Sequence, residues 1–274
     1  MHLPYFTLPP IDLSALGLGQ IDWFTIFVFA AVIAGVTAYD RVVNRGGDID
    51  LPTARLIPEV AVVTGFIGAH LMHVLAYHPE LMREDPLILI KIWAGISSIG
   101  GFIGGLLGAA ILLRWRKKPM LPYVDRIAIG ITIAWIFGRL GCATSHDHPG
   151  SKTDFFLGVA FPDGVRHDLG LYELIFTVLI LAPALFIVSR RRWRTGTLAG
   201  VWLILYGPIR FILDFLRADD FGFVDARYFN LTPAQYACLV MIIAGVLLLA
   251  MSHIHKWPMQ PALWGKINQP PRQG

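Results

Sequence analysis

Seven apolar runs alternate with short polar segments along the 274 residues of this chain. A hydrocarbon core of about 30 Å asks for about 20 apolar residues per helix. The runs at 21–39, 56–76, 96–113, 127–145, 172–189, 197–216 and 234–252 meet that requirement. Pro58 with Glu59, and Pro183, interrupt two of them, and neighbouring helices absorb such breaks in a membrane. The pattern predicts an all-α integral membrane protein with seven transmembrane helices, a single polytopic domain over residues 1–274.

Composition excludes an ordinary soluble domain, with 55% hydrophobic and 15% charged residues and a mean hydropathy of +0.59. The net charge of +4 does not point to nucleic acid, because the basic residues sit in short clusters between apolar runs, as topology determinants do. Of the 23 Lys and Arg, 15 fall in one set of loops with the C-terminal tail and 6 in the opposite set with the N-terminus. Cytoplasmic loops collect the larger share, so the N-terminus is expected outside and the C-terminus in the cytoplasm. No Lys or Arg precedes Arg41, so the first run lacks the basic region of a cleavable signal and is read as a span. The outer loops, 77–95, 146–171 and 217–233, are then the long ones, where function tends to sit. Within them 81–94 is amphipathic enough to lie in the interface with Trp93 as anchor. The last ten or so residues, rich in Pro and Gln, are expected to trail into solvent.

Two arginines change the picture. Arg139, in Gly138-Arg139-Leu140-Gly141-Cys142, and Arg210, in Tyr206-Gly207-Pro208-Ile209-Arg210-Phe211, lie inside apolar runs, where a central arginine costs roughly 2.5 to 3.5 kcal/mol to insert. Both fall in the outer half of their spans, level with His70 and His73, Gly95 to Gly101, and Tyr172-Glu173. Two guanidinium groups at one depth predict a site for a phosphate or carboxylate, and a phospholipid headgroup is the nearest such anion. The competing reading neutralises each arginine with an intramembrane carboxylate, Glu173 or Asp214. Asp214, one turn after Arg210, also suits a role in holding it.

His146 and His148 flank Asp147 just beyond Arg139 and suit a general base or headgroup contact. A lone His-x-His is a weak metal signature, so neither metal nor cofactor is expected. Cys142 and Cys238 form no disulfide framework or ligand pattern and read as small packing residues. The glycines of 95–108 read as a close helix contact.

Taken in order, these pieces resemble one family. Gly138, Arg139, Gly141 and Gly150 match the Gly-Arg-x-Gly signature and its closing glycine in prolipoprotein diacylglyceryl transferases. Thr153-Asp154 through Gly158-Val159-x-Phe161-Pro162 looks like the family's outer loop, and Arg166-His167-x-x-x-Leu171-Tyr172-Glu173 its Arg-His-Pro-x-x-Leu-Tyr-Glu motif. Tyr206-Gly207-x-x-Arg210-Phe211-x-x-Asp214-Phe215-x-Arg217 is similar to Tyr-Gly-x-x-Arg-x-x-x-Glu-Phe-x-Arg, and Leu231-Thr232-x-x-Gln235 to the start of the last span. Gly68-Ala69 and Lys91-Ile92-Trp93 match weaker patterns.

The resemblance implies a seven-span enzyme of the bacterial inner membrane that moves a diacylglyceryl group from phosphatidylglycerol to the lipobox cysteine thiol of a lipoprotein precursor, releasing glycerol phosphate. It implies that Arg139 and Arg210 bind the phosphate, with Gly141, Cys142, Gly150, Tyr172, Glu173, Tyr206 and Asp214 around the substrate; a monomer is expected. The chain departs from the family at Cys142, where many members carry Asn, at Phe24 for a tyrosine, and at His70 for an arginine. It also has Ser98-Ile99-Gly100-Gly101 where many members carry Ser-x-His-Gly-Gly, whose histidine is linked to catalysis. Either His146 or His148 then takes the thiol's proton, or the thiol, with an ordinary pKa of about 8.5, needs little help once the leaving group is bound. Two rivals stand beside transfer: a degenerate member that binds lipid or lipoprotein without catalysis, and a lipid transferase with another acceptor. A retinal protein is disfavoured, since 234–252 holds no lysine for a Schiff base.

Overall fold

The computed structural model describes residues 2–12, 14, 19–46, 49–77, 79–91, 95, 97–218, 220 and 227–264. They group into two compact units, the described parts of Met1–Gly46 with Val124–Gly274, and of Gly47–Tyr123. In chain order the helices are α1 (Trp23–Gly46), α2 (Leu51–Met72), α3 (Pro79–Glu84), α4 (Ser98–Trp115), α5 (Leu121–Ser145), α6 (Leu169–Phe176), α7 (Ala182–Ser189), α8 (Thr197–Leu213) and α9 (Pro233–Ile254). A π-helical turn, Thr177–Leu181, joins α6 to α7. The short strands are β1 (Leu3–Pro4), β2 (Ile11–Asp12), β3 (Gln20–Ile21), β4 (Pro149–Lys152), β5 (Val159–Phe161), β6 (Gly164–Asp168), β7 (Trp193–Arg194) and β8 (Met259–Gln260).

Among the described residues six helical stretches are long and apolar enough to cross a bilayer: Trp23–Arg45, Leu51–Leu75, Leu121–Ser145, Leu169–Ser189, Thr197–Leu216 and Ala234–Ile254. Gly100–Trp115 is apolar but shorter. Large apolar side chains such as Phe29, Ile33, Leu179 and Val240 are about two-thirds exposed along these helices, as expected where hydrocarbon and not water is the solvent.

The larger unit packs around Val42, Ile129, Leu181, Leu185, Trp193, Leu198, Tyr206 and Leu263. Its buried polar anchor is Asp125, whose carboxylate accepts from the amides of Gly196 (2.7 Å) and Ala199 (3.0 Å). Asp125 thus satisfies the orphan donors at the start of α8, whose cap residue, Gly196 at φ +85°, has no side chain to do so. Arg126 donates to Gln260 (3.1 Å), and Gln260 to Thr195 (3.0 Å), which pins β7 and β8 together.

A small sheet of order β1-β5-β6-β4 occupies the predicted loop 146–171 and the N-terminus. Leu3 pairs in parallel with Val159, and Val159 with Arg166 antiparallel. The all-α expectation misses this sheet because its strands run two to five residues, too short for an apolar alternation to register. Arg166 locks the lobe: buried, it donates to the Gly150 carbonyl (3.1 Å) and pairs with Asp163 and Asp220 at 2.5 Å each. The guanidinium holds both carboxyls below their ordinary range, and they in turn raise its own pKa.

In the smaller unit α2 and α4 meet along glycines. A Cβ on Gly68 would sit 2.5 Å from the Gly100 carbonyl and 2.8 Å from the Gly104 Cα, so the backbones approach as closely as small residues allow. His70 is fully buried, with Nδ1 3.1 Å from the Gly95 carbonyl and Nε2 2.7 Å from that of Ile88. It staples the segment after α3 to α2. Of the predicted interfacial stretch 81–94, α3 and the 3₁₀ turn Pro86–Ile90 are helical. The Trp93 anchor and the trailing tail lie outside the described residues.

Candidate active site

Arg139 faces inward on the last third of α5, and Trp135, one turn earlier, lays its ring 4.7 Å from the guanidinium. Glu173, on the first turns of α6, comes within 2.8 Å of Arg139 Nη2 and 3.5 Å of Arg210 Nε. One carboxylate therefore gathers both arginines. Arg210 Nη1 also pairs with Asp214 (3.0 Å), its i, i+4 neighbour at the C-terminal cap of α8, and Asp214 in turn accepts from the Thr232 hydroxyl at the start of α9. The Tyr206 hydroxyl donates to Glu173 (2.6 Å) and accepts from Arg139 (3.5 Å). Glu173 and Asp214 are about 1% exposed, whereas the Arg139 and Arg210 side chains are 11% and 16% exposed.

Both readings of the arginines are thus present at once: each has a carboxylate, and the carboxylates bring the two guanidiniums together. The charges of the four side chains balance, and burial keeps their mutual attraction strong. A guanidinium offers a planar fork of donors, so the pair can take up a further anion beside Glu173.

The remaining predicted residues fall around this cluster in different roles. Cys142 Sγ lies 3.8 Å from Arg139 Nη1, and a Cβ on Gly170 would meet the Cys142 Cβ at 2.9 Å. Gly141 admits Phe27 and Phe24 of α1, at 3.1 and 3.3 Å from the position of its missing Cβ. Gly150 lets β4 approach the chain after α8, with the Leu216 carbonyl 2.6 Å from where a Cβ would lie. The Tyr172 hydroxyl turns to His167 (3.0 Å) and the Leu157 carbonyl (3.3 Å), toward the sheet and not the arginines.

The two histidines part company. α5 ends at Ser145, and His146, at φ +50°, reverses the chain in the left-handed region usually left to glycine. Its ring is buried against Tyr5, Phe6 and Phe161, with Nδ1 2.6 Å from Asp168. Burial raises the Asp168 carboxyl, while the Leu171 amide and His146 pull it back. His148 is instead partly exposed, with Nδ1 2.5 Å from Asp147, and Asp147 borders an open cleft of about 310 Å³ beside Trp23 and Phe24. A ring nitrogen of His148, an oxygen of Asp147 and Cys142 Sγ lie within 4.8 Å of one another. Through Cys142 it is therefore His148 that borders the arginine cluster.

Three contributors were missed from the sequence: Trp135, Asp147 as the partner of His148, and Asp168. The first two carried a local signal, i, i+4 spacing and adjacency. Asp168 stands where the family motif has proline, and only the fold brings it to His146.

These features define a polytopic membrane protein in which two arginines, each paired with a carboxylate, converge within the helices. Comparison with known proteins narrows the class. The profile of the prolipoprotein diacylglyceryl transferase family matches residues 11–251, and the chain belongs to that family. It is 31% identical over 274 aligned residues to the phosphatidylglycerol–prolipoprotein diacylglyceryl transferase of Chlorobaculum tepidum, covering 92% of each chain. The enzyme of the same name from Wolbachia pipientis wMel is 32% identical over 252 residues, 88% of this chain and 94% of that one. Its counterpart in the Wolbachia strain of Culex pipiens is 34% identical over 197 residues, 69% and 74%.

Proposed function

We propose that this protein transfers the diacylglyceryl group of phosphatidylglycerol to the lipobox cysteine thiol of a lipoprotein precursor. The observation that carries the reading is the convergence of Arg139 and Arg210 on Glu173, at positions that match the family's motifs. The carbon under attack bears a phosphate leaving group, so guanidinium donors aimed at its oxygens stabilise the charge that develops as the C–O bond breaks. Glu173, Tyr206 and Asp214 keep both forks in place before lipid arrives. The thiol sulfur forms the new bond to carbon and glycerol phosphate departs. Thiol activation falls at the His148 edge of the site; His146, enclosed by aromatic rings and tied to Asp168, shapes the turn that presents it.

The enzyme works as a monomer in the bacterial inner membrane, with seven crossings, the N-terminus outside and the C-terminus in the cytoplasm. Parity supports the seventh crossing. β1 shares a sheet with β5, so the N-terminus and the 146–171 loop belong on one side and an even number of crossings separates them. α1, α2 and α5 supply three, and α4, about 27 Å long at 1.5 Å per residue, supplies the fourth.

Mixing purified protein with phosphatidylglycerol and a lipobox peptide tests the reaction. A diacylglyceryl mass gain on the peptide is expected, lost in Arg139→Ala and in Arg210→Ala; unchanged transfer in either variant overturns the role of the arginines. A second reading, lipid or precursor binding without turnover, is favoured by Ser98-Ile99-Gly100-Gly101, which has no counterpart of the family's span-three histidine. Peptide capture with no mass gain supports it. Phosphatidylglycerol turnover with cell extract but not with the peptide points to another acceptor.

A further inference from the structure

Where α1 and α7 end, two arginines flank a pair of aromatic rings. Arg45 is the last residue of the apolar stretch Trp23–Arg45, and Arg190 directly follows the stretch Leu169–Ser189, so both guanidiniums fall at headgroup depth whichever way the chain is inserted. The Arg45 guanidinium sits 4.6 Å over the Trp264 ring and that of Arg190 5.5 Å over Phe186. The two rings pack on each other, with 5.8 Å between centroids. From this array we infer a second lipid site, for an anionic phospholipid whose phosphodiester meets Arg45 and Arg190 and whose acyl chains run along Phe186 and Ile187. It stands apart from the transfer reaction, because Arg190 lies about 25 Å along the helical path from Glu173 at 1.5 Å per residue.

The fold holds the array ready. The Ser189 hydroxyl accepts from the Trp264 indole (2.9 Å) and its carbonyl from the Leu263 amide (2.9 Å), which clamps the chain after β8 to the end of α7. A ring against the face of a guanidinium leaves its N–H edge open, and that edge is what a phosphate oxygen takes. Arg139 and Arg210 engage theirs with Glu173 and Asp214. Arg45 and Arg190 meet no carboxylate among the described residues.

Phe186 and Ile187 are exposed on the last turn of α7, so open phosphate donors adjoin a wall for acyl chains. Basic pockets between helix ends bind anionic headgroups in this way. Attraction to helix C-terminal dipoles, or retention of cations at one membrane face, accounts for charge there but asks for no rings. Arg191 and Arg192 provide the contrast: both are exposed next to Arg190, and neither lies over a ring among the described residues.

Native mass spectrometry of the full-length protein in non-ionic detergent, titrated with tetraoleoyl cardiolipin or with phosphatidylcholine, tests the site. Cardiolipin is expected to bind at least about tenfold more tightly than phosphatidylcholine, or 1.4 kcal/mol. Arg45→Gln with Arg190→Gln removes one bound cardiolipin, whereas Arg191→Gln with Arg192→Gln removes none. Trp264→Leu, which keeps every charge, weakens the same binding event at least about threefold. An unchanged cardiolipin count in the first pair, or an equal loss in the second, overturns the site, and so does full affinity in Trp264→Leu. Glycerol phosphate at millimolar concentration is expected to leave the cardiolipin in place; displacement makes the ligand a soluble phosphate and overturns the lipid.

Discussion

Glu173 is the residue whose charge the site can least do without. It is 1% exposed and faces guanidiniums on two different helices, so Glu173→Gln leaves Arg139 buried without its closest carboxylate. Breaking one side of a buried pair costs about 3–5 kcal/mol, and a correspondingly large fall in the thermal midpoint in detergent is expected; a midpoint within a degree of wild type contradicts the pairing. Tyr206→Phe removes only the hydroxyl that donates to Glu173 (2.6 Å), and about 1–3 kcal/mol is expected from the same measurement. The arginines were legible because a charge in an apolar run needs a reason, and Glu173 and Asp214 because they were the carboxylates at the right depth. His146 and His148 looked equivalent in sequence. The left-handed backbone at His146 sends them different ways, and the side a turn faces is decided by what packs behind it, here Tyr5 and Phe161 from distant parts of the chain.

Helices were legible and strands were not, for a reason visible in each element. A span must satisfy every backbone group internally, which demands a long apolar run, whereas β5 needs three residues and a partner. The α2–α4 contact allows a test of the glycine pattern that announced it. Gly68→Ala places a methyl on the backbone of α4 and is expected to destabilise the helix pair by about 1–3 kcal/mol. Gly101→Ala, whose nearest neighbour would lie at an ordinary 3.7 Å, is expected to leave the melting point unchanged. Equal effects would mean that helix propensity and not close approach governs both sites. The sheet lobe answers to pH instead. Asp163 and Asp220 titrate below the ordinary carboxyl value because Arg166 holds their charged forms. Their contribution is therefore complete above about pH 4 and is lost as pH falls through their lowered values. Pepsin cleavage near residues 217–220 should rise steeply there in wild type, and Asp220→Asn should already be susceptible at higher pH.

At the scale of the whole molecule the charge bias and the strand pairings bear on orientation by independent physics. Lys and Arg resist translocation and collect in the cytoplasm, which assigns faces to loops without reference to contacts. Strand pairing constrains only parity: β7 with β8 puts the segments after α7 and after α9 on one side, two crossings apart through α8 and α9. The pairings are compatible with the orientation proposed from the charge bias, under which β1, β4, β5 and β6 would lie outside and β7 and β8 inside. Cys142 and Cys238 are buried, so cysteines introduced at exposed positions report with little background. Asp154→Cys, next to β4, is expected to react with a membrane-impermeant maleimide in intact spheroplasts, and Arg191→Cys, just before β7, only after lysis. The reverse pattern would invert the orientation and place the arginine site in the inner leaflet, out of reach of an exported thiol. Labelling of both in intact cells would remove one crossing between α5 and β7, and with it the depth at which Glu173 meets Arg139.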